Sequence, residues 1–190
     1  MAERSGGSAR GVEPRSRPAT TRGLPGLGAI RLALAEDPCG WKLARCWAVA
    51  PHASARVYEI HWSDEWAALV ERYPLDVSRS RRHDWWRATG WTGRWVIPDY
   101  AYAAANWDAI HVAVAGYLTT AGLDLPVSGN ARTMLAGWDP DATWWLGDVL
   151  TRPARQNCGG AIGGTRTAGS GLSSCRCYVV ALSLTLLPAW

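Results

Sequence analysis

The sequence predicts one small mixed-sheet domain of the α/β or α+β class, over roughly residues 38–150. Residues 56–73 join an alternating strand pattern to an amphipathic helix pattern. Residues 109–115 form an almost wholly apolar stretch, which is typical of a central strand. Tryptophan supplies much of the core, because twelve of the 13 Trp lie between Trp41 and Trp145 and the chain has no Phe.

The flanking segments lack this patterning. Residues 1–30 predict a disordered basic leader, and residues 151–190 predict an irregular Gly/Ser/Arg/Cys tail or a stretch read from a shifted frame. The net charge is +4 over residues 1–31, −4 over residues 32–150 and +4 over residues 151–190. The basic excess therefore belongs to the tails, and we expect nucleic-acid binding only through them.

The strand–helix unit begins at Arg56, with a strand through about His61. Ser63 is the predicted N-cap of the helix, and Pro74 is the predicted stop. Apolar residues at positions i, i+3, i+4 and i+7 predict one buried stripe, formed by Trp66, Leu69, Val70 and Tyr73.

Local patterns predict the remaining elements. Residues 41–49 favour a short amphipathic helix, residues 79–91 a short helix or ordered loop, and residues 94–97 a strand. A helix is expected from Pro98 to about Asn106, then the strand at 109–115 and an ambiguous strand or loop at 116–122. Residues 133–138 and 143–149 predict a C-terminal β-hairpin around the turn at 139–142.

One cluster of arginines and tryptophans is a candidate ligand site. Clustered guanidinium groups beside indoles can hold a phosphate or stack on a base. The alternative is an amphipathic helix with core tryptophans and solvated arginines. The predicted binding residues are Arg81, Arg82, Trp85, Trp86 and Arg87, in a run with Arg79, His83 and Asp84.

Four residues are candidates for acid–base chemistry: His83, His111, Arg56 and Tyr58. His111 interrupts an apolar strand, so it either faces a cleft or is a core histidine bonded to the backbone. The strand that carries Arg56 and Tyr58 either lines a pocket or is a solvated edge.

Other site signatures are weak or missing. Asp139 and Asp141 flank Pro140 and, with Asp148, could hold Mg²⁺, although a turn alone explains the first two. No metal site is predicted, and no dinucleotide, Walker A, nucleophile-elbow or HExxH motif occurs, so the cofactor is unknown. The five Cys and the lack of an apolar leader predict a soluble cytoplasmic protein without a membrane segment.

Several blocks of the domain resemble conserved hypothetical proteins of high-GC actinobacteria, and this resemblance implies no activity. They are residues 56–60, 83–90, 95–99, 108–122 and 137–146. A strand-borne Arg56 or His111 is also compatible with a small NAD-using core similar to ADP-ribosyltransferases. The ExE or QxE motif that such a core requires is missing.

These observations favour a non-enzymatic binding or regulatory module with an Arg/Trp surface, whose partner is an unknown protein or small ligand. The first alternative is a small nucleotide- or NAD-using enzyme. The second is nucleic-acid binding through the tails.

Overall fold

The computed structural model describes residues 19–24, 28–34, 43–151, 157–161 and 178–184. Helices and strands mix along this part of the chain, which confirms a small α+β fold. The helices are Ile30–Ala33 (α1), Ser63–Arg72 (α2), Ser78–Thr89 (α3), Tyr100–Ala103 (α4) and Val114–Thr120 (α5). The strands are Ala19–Leu24 (β1), Gly28–Ala29 (β2), Leu43–Pro51 (β3), Val57–Ile60 (β4), Pro74–Asp76 (β5), Arg94–Pro98 (β6), Ala109–Val112 (β7), Leu125–Val127 (β8), Ala131–Thr133 (β9), Ala142–Trp145 (β10), Leu150–Thr151 (β11), Asn157–Ala161 (β12) and Tyr178–Leu184 (β13).

The strands form two sheets. The large sheet has the order β11-β3-β13-β1-β10-β7-β4, with β12 also paired to β3 and β2 to β1. The small sheet has the order β5-β6-β9-β8. The pairs β4–β7 and β6–β9 are parallel and the others antiparallel, so both sheets are mixed.

The predicted strand–helix unit is confirmed as β4 and α2. The apolar stripe of α2 is buried, and the helix ends at Arg72, before Pro74. Ser63 is the first helical residue rather than the N-cap, which is Trp62. Glu65 stabilises this end, because its carboxylate accepts hydrogen bonds from the backbone N–H groups of His61 and Trp62.

Strand β7 lies between β4 and β10 and is fully buried, so the prediction of a central strand is confirmed. It is shorter than predicted, because residues 114–120 form α5 and are neither strand nor loop. Helix α5 can cross the end of β4 because Gly116 has no side chain: a Cβ there would lie 2.2 Å from the Ile60 carbonyl oxygen.

Two local predictions are wrong because long-range strand pairing overrides them. Residues 43–51 form β3 and not a helix, paired with β11, β12 and β13. The hairpin does not form either. Strand β9 pairs with β6 and β8 of the small sheet, whereas β10 pairs with β1 and β7 of the large sheet.

The strand at β6 and the helix after Pro98 are both present. Asp99 caps α4 by accepting hydrogen bonds from the backbone N–H groups of Ala101 and Tyr102. The helix ends at Ala103 rather than near Asn106. Residues 79–91 are mostly helical, as α3, and the left-handed Gly90 ends that helix.

Four strands lie inside the segments predicted as tails. Strands β1 and β2 belong to the leader, and β12 and β13 belong to the C-terminal tail. All four pair within the large sheet. The domain boundaries near residues 38 and 150 stay predictions, and the other tail residues lie outside the described part of the chain.

Candidate functional site

Helix α3 is held against β6 at its first residue. The Ser78 hydroxyl lies 3.4 Å from the Trp95 carbonyl oxygen and accepts a hydrogen bond from the Trp95 backbone N–H at 2.9 Å. At the other end of the helix, the Gly90 backbone N–H donates to the Trp86 carbonyl oxygen. Anchored at its first residue and capped at its last turn, the helix presents a defined face to solvent.

The tryptophan doublet on α3 divides between core and surface. Trp85 is buried and packs edge-on against Trp95, with ring centroids 5.1 Å apart, beside Met134. Trp86 is 46% exposed. Of the two predicted ligand-binding indoles, Trp85 anchors the helix and Trp86 is accessible to a ligand.

The exposed face of α3 repeats at three- and four-residue intervals, which places its side chains in one row. Two open depressions of about 550 and 400 Å³ lie along this row, and His83 and Trp86 line both. The His83 and Trp86 rings are 6.5 Å apart. We call this row the α3 surface: Arg79, Arg82, His83, Trp86 and Arg87.

The arginines of the α3 surface carry charge that the described chain leaves uncompensated. Asp84 is the single acidic residue of the helix. No ion pair within the described ranges joins Arg79, Arg82 or Arg87 to a carboxylate. The predicted Arg81 is also exposed, but lines neither depression.

A second polar group of residues surrounds His111 on the large sheet. Its side chain is fully buried, and its Nδ1 lies 2.8 Å from Thr143 Oγ1. Burial, and after it the charges of Arg22 and His61, lowers the pKa of His111 to about 3, so the ring is neutral at pH 7. Thr143 is fully buried as well, which leaves no path for a substrate to this pair.

Three carboxylates lie at this end of the sheet, and we call them the acidic rim: Glu59, Asp139 and Asp141. His111 Nε2 is 3.9 Å from Glu59 Oε2 and 3.6 Å from Asp141 Oδ1. Neither carboxylate is within hydrogen-bond distance, but their negative charge favours an N–H on the nitrogen that faces them, so the ring proton is assigned to Nε2 and Nδ1 accepts from the Thr143 hydroxyl.

Each carboxylate of the acidic rim also contacts either the N-terminal strand β1 or helix α1. Arg22 forms an ion pair with Glu59, and Arg31 Nε donates to Asp139 at 2.6 Å. Asp141 accepts from the Thr21 hydroxyl at 2.6 Å and from the Arg22 backbone N–H at 2.9 Å.

The four candidate acid–base residues do not meet in one site. In the β4–β7 pairing Tyr58 lies opposite Ile110, and Glu59 lies opposite His111. Tyr58 and His111 therefore lie on opposite faces of the sheet. Tyr58 donates to the Glu65 carbonyl oxygen, and Arg56 pairs with Asp108 at 3.3 Å. His83 belongs to α3.

Sequence reasoning missed the link between the acidic rim and the N-terminal segment. It assigned Asp139 and Asp141 to a turn and placed Arg22 in the leader. The structure places Arg22 against Glu59 and Arg31 against Asp139, pairs that are separated by 37 and 108 positions in the sequence. The charge split between acidic domain and basic tail is the signal that could have found this contact.

Within the described residues, no group of three potential ligands is arranged to hold a metal ion. None of the helices found there has the length and apolar character needed to cross a membrane. Comparison with protein-family models, with curated proteins and with solved structures finds no match to this chain.

Proposed function

We propose that this protein is a binding module that uses the α3 surface to hold a phosphate-bearing ligand with an aromatic base. One observation carries the proposal. A row of exposed guanidinium groups without described carboxylate partners flanks an exposed indole on a helix whose other side is fixed in the core.

The chemistry of the row suits such a ligand. An arginine guanidinium can form two parallel hydrogen bonds to phosphate oxygens, and it stays charged at any physiological pH. An exposed indole offers a flat apolar face on which a base can stack. Because Arg82 and Trp86 are four residues apart, one helical turn places both groups beside the same ligand.

A binding role fits the geometry better than acid–base catalysis does. Among the described residues, the close pair of a hydroxyl and an imidazole, Thr143 and His111, is sealed from solvent. The exposed His83 lies beside Trp86 and arginines, with no hydrogen bond to a carboxylate within the described residues. Neither histidine combines an oriented partner with access to a substrate.

The test is titration of the full chain into a labelled single-stranded oligonucleotide, followed by fluorescence anisotropy. We expect Trp86→Ala to weaken binding by about 1–3 kcal/mol, roughly five- to 150-fold. The matched control is Trp62→Ala, because Trp62 is 57% exposed and lies away from α3, at the N-cap of α2. Equal loss in both variants, or no binding by the wild-type chain, would refute the proposal.

The contribution of the arginine charges to binding is tested in the same assay. Arg82→Ala should weaken binding and reduce the salt dependence by about one phosphate contact. Arg56→Ala serves as the control, because that guanidinium already pairs with Asp108. Deletion of residues 1–18 tests the alternative of tail-mediated binding: loss of all affinity on this deletion would assign binding to the tail.

A further inference from the structure

The described N-terminal residues 19–24 and 28–34, which we call the strap, are held by polar contacts. Strand β1 occupies an interior position between β10 and β13. None of the described strap side chains belongs to the three apolar clusters of the core. Thr20, for example, is buried but accepts a hydrogen bond from Trp145 Nε1 at 2.9 Å.

Charge complementarity is one element of the docking of the strap. Two guanidinium groups, of Arg22 and Arg31, each pair with a different carboxylate of the acidic rim. The third carboxylate, Asp141, accepts two hydrogen bonds from Thr21 and the Arg22 backbone. All three acids of the rim therefore contact one short segment.

A separate observation favours a cation beside the rim. His111 Nε2 is buried without a hydrogen-bond partner among the described residues, and it points between Glu59 and Asp141. Two carboxylates around a neutral imidazole leave net negative charge at a poorly solvated position. Arg22 supplies the compensating charge.

Backbone pairing adds a second element of recognition. Strand β1 runs antiparallel to β10, with Ala19 opposite Trp144 and Thr21 opposite Ala142. An extended segment in this position gains main-chain hydrogen bonds from the sheet, and its side chains supply specificity.

We propose that the acidic rim and the adjoining edge of β10 form a recognition site for an arginine-bearing extended strand, which the strap fills in cis. The ligand class is a basic peptide in β conformation with two guanidinium groups. This site is separate from the α3 surface, and the proposal does not depend on the function proposed above.

The ionic nature of the docking makes the strap separable from the rest of the sheet. The Arg22 and Arg31 side chains are 25% and 23% exposed, so dissolved ions can screen both pairs. The β4–β7 pair is different, because Ile60, Ile110 and Val112 belong to the main apolar cluster. Salt should therefore release the strap and leave β4–β7 intact.

Hydrogen exchange of the full chain tests this separation. Raising sodium chloride from about 0.05 to about 1 M should accelerate exchange in residues 19–24 by about tenfold or more, with little change in residues 109–112. The doubly substituted Arg22→Ala, Arg31→Ala chain should show the faster exchange already at low salt. Exchange of the two segments at one common rate under all conditions would overturn the proposal.

Recognition itself is tested by supplying the strand in trans. A labelled peptide of residues 17–33 should bind the Arg22→Ala, Arg31→Ala chain at least about tenfold more tightly than the wild-type chain, whose site is filled. The same peptide with both arginines replaced by alanine is the matched control. Equal binding of the two peptides, or no binding of either, would contradict a guanidinium-specific site. If the double variant fails to fold, the salt experiment on the wild-type chain decides.

Discussion

Arginines occur on the α3 surface and in the strap, and the two regions use them in opposite ways. In the strap, Arg22 and Arg31 pair with Glu59 and Asp139. On the α3 surface, Arg82 and Arg87 lie beside an exposed indole, without a carboxylate partner among the described residues. Paired arginines hold the chain to itself, whereas unpaired arginines are available to a ligand. Contact geometry, not arginine content, separates the two roles.

The largest expected effect is a difference in stability between variants on the buried and the exposed side of α3. Trp85→Ala should lower the free energy of unfolding by about 3–5 kcal/mol, because it leaves a cavity against Trp95. Trp86→Ala should change it by less than about 0.5 kcal/mol, because that ring is largely in solvent. Urea denaturation measures both values. Equal destabilisation would mean that Trp86 is structural and would weaken the proposed ligand site.

Acidification tests how the buried His111, next to the acidic rim, affects stability. The folded pKa of His111 is about 3 against 6.5 for the free side chain, so the unfolded state takes up a proton first as the pH falls. The stability that the neutral His111 contributes is fully present above about pH 6.5. It is lost as the pH falls towards 3, with a slope of up to about 1.4 kcal/mol per pH unit in the free energy of unfolding.

Urea denaturation between about pH 7 and 5.5 isolates this effect. The carboxyl groups of Asp76, Asp108 and Glu71, whose pKa values are lowered in the folded state, lose their stabilisation only at more acidic pH, where the unfolded carboxyl groups take up protons. The His111→Gln chain should lack this slope. An unchanged slope in that variant would show that another group is responsible.

Removing one carboxylate of the rim should have an intermediate effect. Asp141→Ala should cost about 1–3 kcal/mol, because the Thr21 hydroxyl and the Arg22 N–H lose their acceptor. Asp84→Ala, on the exposed side of α3, is the control and should change stability by less than about 0.5 kcal/mol. Thermal unfolding compares them, and a neutral Asp141→Ala would show that the strap contributes little stability.

The smallest expected effect is on the α3 surface. Asp84→Asn removes the one negative charge of the helix and should tighten oligonucleotide binding by about twofold at low salt. The gain should disappear at high ionic strength. Weaker binding would show that Asp84 itself contacts the ligand.

The sequence predicts elements well where a local pattern and its tertiary environment agree. Helix α2 has an apolar stripe and a proline stop within one short segment, and it forms as expected. Strand β3 and the failed hairpin depend on pairing with distant segments, so local periodicity misleads there.

The same distinction applies to the two polar sites. The α3 cluster is contiguous in sequence, so its residues could be predicted. Which of its two indoles is buried and which is exposed could not be predicted. The contact of Arg22 with Glu59 depends on β1 entering the large sheet, which no local pattern indicates. The apolar pattern of β7 singles out His111 in the sequence. Its neighbour Thr143 follows only from the strand register, and the approach of Asp141 only from the tertiary structure.

The crossing of α5 over β4 has a practical consequence for engineering the protein. At Gly116 the constraint is room, because any side chain would meet the Ile60 carbonyl oxygen. At Gly90 there is open space, and the constraint is the positive φ of 75°. Asparagine tolerates that backbone conformation, so a library could include it at position 90, next to the α3 surface. Position 116 should be kept as glycine in every variant, since no choice of side chain avoids the collision there.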